Sequence, residues 1–487
     1  MKVIDILLLI NYLLAVLFVL GMIIKADKKP VRIFAWTIVL IIPFFGLICY
    51  IYIGKGISAK TKYMLKKRKI KIEEYEKLLQ TEALEFKNGT FNSVEDNNKD
   101  LILLNLNNAS SLFSTNNKVK IYTNGLEMLE ELKEDIKNAT KSINLMFYIF
   151  ATDKTGKEVR DLLIEKAKQG VKVKVIYDAV GSLKTNKLFF RKLLKAGGEV
   201  EAFFPPLFGI KVLNGYANYR NHRKIVVIDG KIGYTGGMNI RDDHMGLHKK
   251  LKPWRDTHLR IEGACVYSLQ NVFISDWRFV NKKYLPTNLY INSTYYGVNN
   301  NEDLHNGVGM QVVTSSPETI NEPIKECMIK MIMKAKKVIR IQTPYFILDD
   351  TFKGALILAL LSGVKVEIMV PKLADHITVW YASISYLQDI ERYGAKIYFY
   401  KGFLHSKTLS VDDEITTIGS SNVDIRSFSL NFEANVVLYG NEITMLCNKL
   451  FDEDIKNCDL IDKSYFKQIS IFKKLLMKFC RLFSAIF

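Results

Sequence analysis

The sequence is poor in cysteine and in acidic residues. Its six cysteines are scattered and include no Cys-x-x-Cys pair, which excludes a disulfide framework, disfavours a zinc ribbon and favours reduced thiols. The 50 acidic residues are outnumbered by 69 lysines and arginines, and the net charge of +19 indicates an anionic partner such as nucleic acid, acidic lipid or phosphate. Aromatic residues make up 11% of the 487 positions and hydrophobic ones 48%, which excludes a disordered chain and predicts more than one folded domain.

Charge is missing altogether from two N-terminal stretches, residues 6–24 and 33–53. Each is about 20 residues long, the length that a helix needs to cross the hydrocarbon core of a bilayer. A cleaved signal peptide is disfavoured because Asp5 stands where a basic region is expected and a second apolar stretch follows at once. We therefore predict a hairpin of two transmembrane helices. Basic residues are dense just after the second stretch, which predicts that the rest of the chain is cytoplasmic.

The C-terminal segment 471–487 combines apolar and basic residues at helical spacing. The apolar ones are Phe472, Leu475, Leu476, Phe479, Leu482, Phe483 and Ile486, and the basic ones are Lys473, Lys474, Lys478 and Arg481. Such a helix can lie in the interface of an anionic membrane, or it can dock on the folded domain through its apolar face. The sequence leaves both interpretations open.

The middle of the chain contains an internal repeat. Residues 139–178 match residues 334–371, and each copy reads as a strand, a polar turn, a helix and a buried strand that begins at a Gly-Val-Lys-Val tetrapeptide. Alternating strands and helices predict α/β sheets. Residues 221–240 likewise match residues 404–423 in the pattern H-x-K-x4-D-x6-G-[GS]-x-N. Two copies of one unit therefore lie in tandem.

The repeated pattern carries residues suited to phosphodiester chemistry. A single H-x-[KR]-x4-[DE] match is expected by chance about 0.1 times in such a chain, so one copy alone could be a core or surface histidine, whereas two in matching context indicate function. In a strand the His and the Lys point to the same face. We predict His222, Lys224, Asp229, His405, Lys407 and Asp412 as catalytic residues, and Asn239 and Asn422 as phosphate ligands. Two imidazoles supply a nucleophile and an acid, and nothing in this scheme needs a metal or a cofactor.

These motifs resemble those of the phospholipase D superfamily and, within it, of the bacterial cardiolipin synthases. The resemblance covers the two apolar N-terminal stretches, both repeats, the NYRNHRK and GGMNI segments and the LNFEANVV segment near the end. It implies two tandem pseudo-symmetric α/β/α lobes behind a transmembrane hairpin, with one active site between them. It also implies that one motif His forms a phosphohistidine while the other acts as acid and then base, and that the motif Asp residues brace the site. Asp256 and Glu433 match the carboxylates that orient the two His.

The same comparison of segments predicts the domain organisation. The predicted order is a membrane anchor (1–54), a basic linker with a short helical region (55–118), the first lobe (119–285), a linker (286–307), the second lobe (308–462) and a basic amphipathic tail (463–487). Residues 88–100 read as a loop. His244, His248 and His258 lack a zinc-binding frame and also read as loop residues, and Tyr148 and Tyr345 read as substrate contacts or packing residues.

The resemblance implies a membrane-bound cardiolipin synthase. Its expected partners are phosphatidylglycerol and anionic membrane lipid, not nucleic acid, and its product is cardiolipin with free glycerol. A hydrolytic phospholipase D or a phosphatidylserine synthase could use the same site, and a membrane-anchored nuclease is a further alternative. A scaffold without activity would require broken motifs. The sequence does not distinguish the nucleophilic His from the acid.

Overall fold

The computed structural model describes residues 3–24, 30–50, 77–82, 84, 96–115, 117–205, 218–247, 251–281, 307–319, 321–482 and 484. Its helices are α1 (Val3–Ile24), α2 (Pro30–Ile41), α3 (Phe45–Cys49), α4 (Lys99–Ala109), α5 (Gly125–Asn138), α6 (Lys154–Lys168), α7 (Arg191–Lys195), α8 (Cys265–Asn281), α9 (Pro323–Lys334), α10 (Asp350–Leu361), α11 (Ile377–Glu391), α12 (Ile425–Ser429), α13 (Asn441–Ile455), α14 (Lys463–Gln468) and α15 (Ile471–Leu482). Short 3-10 turns span Asp96–Asn98 and Asp242–Met245.

Two sheets share one topology. The strands are β1 (Phe113–Ser114), β2 (Asn117–Tyr122), β3 (Ser142–Phe147), β4 (Lys172–Asp178), β5 (Glu199–Phe203), β6 (Arg220–Asn221), β7 (Ile225–Ile228), β8 (Ile232–Gly236), β9 (Trp254–Arg255), β10 (His258–Gly263), β11 (Gly309–Ser315), β12 (Val338–Gln342), β13 (Phe346–Ile347), β14 (Lys365–Pro371), β15 (Lys396–Tyr400), β16 (Phe403–Leu404), β17 (Thr408–Val411), β18 (Ile415–Gly419), β19 (Val423–Asp424), β20 (Asn431–Tyr439) and β21 (Cys458–Ile461). The first sheet has the order β2-β10-β8-β7-β3-β4-β5, and the second contains β11-β20-β18-β17-β12-β14-β15. The predicted pair of α/β lobes is confirmed.

The repeated sequence features appear as repeated local structures. Asp153 and Asp349 cap α6 and α10, because each carboxylate accepts a backbone hydrogen bond three residues further on, at 3.0 Å and 2.9 Å. Gly170 and Gly363 follow the C-termini of these helices at φ 89° and 87°, a conformation that glycine adopts without steric cost. Each helix then leads into a strand that is parallel to the one before it.

The two lobes interlock rather than merely touch. One hydrophobic cluster takes side chains from both sheets, including Ile225 and Val227 from the first and Phe432 and Val436 from the second. Short strands also pair across the boundary: β6 runs parallel to β20, and β9 runs parallel to β16. The strand β1, which precedes the first lobe in the chain, joins the edge of the second sheet. The lobes are therefore one packed unit.

A buried ion pair of the first lobe lies at this boundary and is tied by hydrogen bonds to the second lobe. The guanidinium of Arg223 lies 2.7 Å from the carboxylate of Asp276 and also donates to the carbonyl oxygens of Ser315 and Glu433 in the second lobe. The side chains of Arg223 and Asp276 are 4% and 0% exposed. Removing either partner leaves the other charge buried and uncompensated.

We expect Asp276→Ala to lower the free energy of unfolding by about 3–5 kcal/mol, because the buried guanidinium of Arg223 loses the carboxylate with which it pairs. Thermal unfolding of the detergent-purified chain would measure the change. The matched control is Asp161→Ala, since Asp161 pairs with Arg160 at 2.7 Å but is 57% exposed. That exposed pair should contribute about 0–1 kcal/mol. Equal effects from the two variants would contradict the role given to the buried pair.

The N-terminal region contains one helix, Val3–Ile23, that is long and apolar enough to cross a membrane among the described residues. The second predicted span is broken: α2 ends at Ile41 and α3 begins at Phe45. The break follows from Pro43, which cannot continue a helix, and from Phe44, whose φ is 59°. Residues 51–53 of the predicted span and most of the predicted linker 286–307 lie outside the described residues. In the predicted loop 88–100, residues from Asp96 onward form a helical turn and the start of α4.

Candidate active site

A cavity of about 550 Å³ opens between the lobes, where the two repeats meet. Its lining includes His222 and Asn239 from the first repeat and His405 and Asn422 from the second. Tyr148 and Tyr345, the tyrosines that follow equivalent strands, also line it. The structure therefore brings both motif histidines and both motif asparagines to one site.

Each imidazole is held by a carboxylate from the opposite lobe. His222 Nδ1 lies 3.0 Å from a carboxylate oxygen of Glu433 and 3.0 Å from the carbonyl oxygen of Ser420. His405 Nδ1 lies 2.7 Å from Asp256 Oδ2. Both carboxylates are fully buried. Because acceptors surround each Nδ1, the proton of each neutral ring resides there, and Nε2 is left as a base.

The motif lysines lie beneath the imidazoles. Lys224 and Lys407 are 0% and 1% exposed, and each ammonium donates to the carbonyl oxygen of the motif His two residues earlier. The strands begin at Ile225 and Thr408, so each His-x-Lys tripeptide precedes its strand instead of forming part of it. Two buried cations close behind the imidazoles make the site attractive to a phosphate anion.

The structure does not bring the motif aspartates to the cavity. Asp229 and Asp412 lie at the far ends of β7 and β17, about 20 Å along the chain from the motif histidines at the usual rise of a strand. The Asp229 carboxylate accepts hydrogen bonds from the backbone N–H groups of residues 140–142, and Asp412 does the same for residues 336–338. Both adopt φ above 50°. These contacts tie each motif strand to its neighbour, which fits the bracing role that the resemblance implies for the two aspartates, and their direct part in catalysis stays a prediction.

The asparagines and the small residues before them shape the rim of the site. Asn239 Oδ1 accepts from the backbone N–H of Ile149 at 3.1 Å, which fixes the amide against the adjoining loop. Gly237 makes room for Asp256: a Cβ at position 237 would lie 2.0 Å from Asp256 Oδ1. The glycine therefore admits the carboxylate that orients His405, a requirement that the sequence pattern alone does not reveal.

His244 is a site residue that the sequence interpretation placed in a loop. Its ring is buried, lies 3.1 Å from the amide nitrogen of Asn239 and 3.5 Å from Asp256 Oδ2, and contacts the ring of His405 at 5.0 Å between centroids. His244 thus connects the partner of one catalytic imidazole with a phosphate ligand. The only available signal was its position five residues after Asn239.

His244, Asp256 and His405 each place one donor atom within 4.8 Å of the others. Two imidazoles and a carboxylate are a donor set that can hold a zinc ion. In this structure these atoms interact with one another, because Asp256 Oδ2 lies 2.7 Å from His405 Nδ1 and 3.5 Å from His244 Nδ1. His248 lies outside the described residues, and His258 accepts from the backbone N–H of Met238 instead of facing this cluster.

Burial shifts the ionisation of the site. It lowers the pKa of His222 to about 4, against the opposing charge of Glu433, and it lowers the pKa of His405 well below the ordinary value. Burial opposes ionisation of Asp256, but the electrostatic interaction with His405 and the hydrogen bonds from the rings of His244 and His405 outweigh it and hold the pKa of Asp256 well below the ordinary range. Both motif histidines are therefore neutral at rest, as a nucleophile must be. A phosphate anion placed between them would favour protonation of one, which is the state that an acid needs.

Burial also lowers the pKa of Lys224 to about 7 and that of Lys407 to about 8. Each lysine is charged below its pKa and loses that charge as the pH rises through it. We therefore expect the KM for an anionic phosphodiester lipid to rise between pH 7 and pH 9, with a smaller change in kcat. Initial rates over a range of lipid concentrations from pH 6 to pH 9 would measure this. A KM that stays constant over this range would contradict the assignment of the lysines as phosphate ligands.

Comparisons with known proteins agree with this site. The family described as "Cardiolipin synthase, PLD-like domain" matches residues 132–277 and 328–455, which include both motifs. The chain is 42% identical over 459 residues to the major cardiolipin synthase ClsA of Bacillus subtilis (strain 168), covering 93% of each chain. It is 39% identical over 493 residues to a cardiolipin synthase of Oceanobacillus iheyensis, covering 100% of each. A solved phosphatidylserine synthase of Haemophilus influenzae has the same fold, with a TM-score of 0.61 at 16% identity over 80% of this chain and 100% of that one.

Proposed function

The chain belongs to the cardiolipin synthase family with phospholipase D-like domains, and from this membership we propose how its site carries out phosphatidyl transfer. It is a phosphatidyltransferase of phospholipid biosynthesis. The substrate follows from the family: phosphatidylglycerol is both donor and acceptor, and cardiolipin and glycerol are the products. The contribution of each side chain follows from the geometry of the cavity.

In the first step, Nε2 of one motif imidazole forms a bond to phosphorus while the bond from phosphorus to the glycerol oxygen breaks. The other imidazole, protonated once the anion has entered, gives its proton to that oxygen, and glycerol leaves. In the second step, the headgroup hydroxyl of another phosphatidylglycerol attacks phosphorus and gives its proton to the same imidazole. The phosphorus–nitrogen bond breaks, and cardiolipin is released. Each step uses the same groups in reverse, so the transfer is reversible.

The observation that carries this proposal is the crossed pairing of His222 with Glu433 and of His405 with Asp256 around one cavity. The buried carboxylates keep both Nδ1 atoms protonated and stabilise an imidazolium when it forms. Lys224, Lys407, Asn239 and Asn422 are proposed to hold the phosphate oxygens. Asp229 and Asp412 are proposed to brace the motif strands.

The N-terminal helix is consistent with membrane anchoring. We propose in addition that the anchor is a hairpin of two spans and that the catalytic lobes lie on the cytoplasmic side. Support comes from the packing of α1 on α2 through Met22, Trp36 and Leu40, and from the backbone N–H of Phe44, which donates to Asn11 Oδ1 at 2.8 Å. The bonded Asn11 supplies an acceptor at the break near Pro43. The domain boundaries predicted from the sequence form part of this proposal. An anchored site meets both of its lipid substrates at high local concentration.

The test is to incubate the detergent-purified full chain with phosphatidylglycerol vesicles and EDTA, and to identify the products by mass spectrometry. Cardiolipin and free glycerol in equal amounts are expected. Phosphatidic acid as the main product would contradict the transferase and indicate a phospholipase. Loss of activity in EDTA, restored by zinc, would contradict the metal-free scheme and assign an ion to His244, Asp256 and His405. Nucleic acid is not expected to be cleaved, and a plasmid-nicking assay on the same preparation would check this.

A further inference from the structure

The C-terminal helix α15 turns its apolar side chains away from the protein. Its exposed face, here called the outer face, consists of Ile471, Phe472, Leu475, Leu476 and Leu482, which are 66%, 79%, 57%, 41% and 49% exposed. At about 100° per residue these five side chains occupy an arc of about 140° on one side of the helix. A helix that docks on a soluble domain buries such an arc. This one leaves it in solvent.

A different edge of the helix attaches it to the second lobe. Met477 and Cys480 are each 3% exposed and belong to the core of that lobe. Arg481 forms an ion pair with Asp389 of α11 at 2.8 Å and lies over the ring of Tyr386. The helix is therefore held firmly while the outer face points outward. The helix docks, as one of the two interpretations drawn from the sequence expects, but not through its apolar face, and the membrane interpretation stays a prediction.

Lysines border the outer face. At about 100° per residue, Lys474 and Lys478 lie between the attached edge and the outer face, whereas Lys473 lies within the attached edge, between Cys480 and Met477. An apolar arc bordered by lysines matches the interface of an anionic bilayer, where apolar groups enter the acyl boundary and ammonium groups meet lipid phosphates.

The helix α15 also lies next to the active-site cavity. A second cavity of about 1060 Å³ lies between α15, α11 and residues 348–351. It shares Ile425 and Ser484 with the cavity that holds His222 and His405. Ile471, Leu475 and Leu482 of the outer face line this second cavity. The outer face and the active-site cavity therefore lie on neighbouring parts of the protein surface.

We propose that α15 is a membrane-docking element that inserts its outer face into an anionic leaflet and holds the opening of the active-site cavity against the lipid headgroups. This inference rests on the proposed function, because it states where a lipid substrate enters the site. It adds a second membrane contact to the N-terminal anchor and assigns the lysines on α15 to lipid phosphates.

The activity test compares two forms of phosphatidylglycerol: vesicles, and a short-chain form dispersed below its critical micelle concentration. We expect the variant Lys474→Glu/Lys478→Glu to lose about tenfold or more of its rate on vesicles, because two attractive charges become repulsive, and to keep its rate on dispersed lipid within about twofold. Phe472→Gln/Leu475→Gln should behave in the same way. Equal losses on both substrates, or no loss on vesicles, would overturn the proposal.

The matched control is Lys449→Glu/Lys456→Glu, which makes the same change in net charge on and just after α13. This helix packs on the other face of the second sheet, because Phe451 contacts Met369 and Tyr398 whereas the cluster that includes α11 contains Ile368 and Ile397. We expect the control to keep its rate on vesicles. A loss as large as that of the α15 variant would overturn the proposal and indicate a general charge effect. A loss that follows a change in oligomeric state would overturn it in favour of a contact with a second copy of the chain.

A binding measurement keeps this inference separate from the proposed function. In Phe472→Trp, the new indole should be quenched by vesicles that contain brominated phosphatidylglycerol, beyond the quenching of the natural tryptophans in the unchanged chain. The control, Met445→Trp on α13, should show no added quenching. Quenching without cardiolipin formation would refute the proposed reaction and support docking. Cardiolipin formation without quenching at position 472 would refute docking and support the reaction.

Discussion

Replacing either His222 or His405 with alanine is expected to reduce cardiolipin formation by about 10⁴-fold or more. The two imidazoles have different tasks in one reaction, so the loss of either stops turnover, and the double variant should be little worse than a single one. Product formation from phosphatidylglycerol vesicles, measured by mass spectrometry, checks this. The control is Lys137→Ala on α5, because this side chain is 56% exposed and is not part of the cavity lining, and it should change the rate by less than about threefold.

The same variants identify the nucleophile. Removing the nucleophile prevents the covalent adduct, whereas removing the acid slows release of glycerol and resolution by the second lipid. Brief incubation with radiolabelled phosphatidylglycerol, followed by denaturation at alkaline pH, should trap an acid-labile phosphohistidine in one variant only. Appreciable cardiolipin formation by either alanine variant would show that the covalent scheme is wrong.

The second large effect is expected from the carboxylates that orient the imidazoles. Asp256→Asn and Glu433→Gln should each lower kcat by about 10²–10⁴-fold with little change in KM, because an amide nitrogen next to Nδ1 favours the tautomer in which Nε2 carries the proton. Asp256 also approaches His244 at 3.5 Å, so its replacement disturbs two rings and should cost more. Glu433 also accepts hydrogen bonds from the Ser420 hydroxyl and the Asn431 amide, so its replacement should disturb the site less.

This prediction is tested by steady-state kinetics together with thermal unfolding of each variant. Both substitutions retain nearly the same volume, so a normal unfolding temperature with low kcat would assign the effect to the site. The control is Glu442→Gln on the exposed side of α13, which should leave the rate unchanged. A large rise in KM at constant kcat would contradict the orienting role and indicate that the carboxylates act on substrate binding.

The sequence predicted much of the fold because its strongest signals are local. Each Gly-Val-Lys-Val tetrapeptide predicts the end of a helix followed by a buried parallel strand. The structure has this arrangement at Gly170 and at Gly363. The repeated motif was a less reliable guide to which residues lie at the cavity, because that depends on distances between residues far apart in the sequence. The motif spacing does not show that Asp229 and Asp412 lie away from the cavity, where their contacts support the bracing role that the resemblance implies. His244 belongs to no motif, yet it lies in the site.

The sequence by itself determined the two α/β lobes, the residue types of the site and the family, because repetition, periodicity and motif spacing are properties of neighbouring positions in the chain. Only the tertiary structure decided that His222 takes its carboxylate from the second lobe and His405 from the first, and that α15 directs its apolar face outward. These arrangements depend on the pairing of β6 with β20 and of β9 with β16 and on the attachment of α15 through Met477, Cys480 and Arg481. Contacts of this kind join residues far apart in sequence, and their free energy is gained only when the lobes pack together.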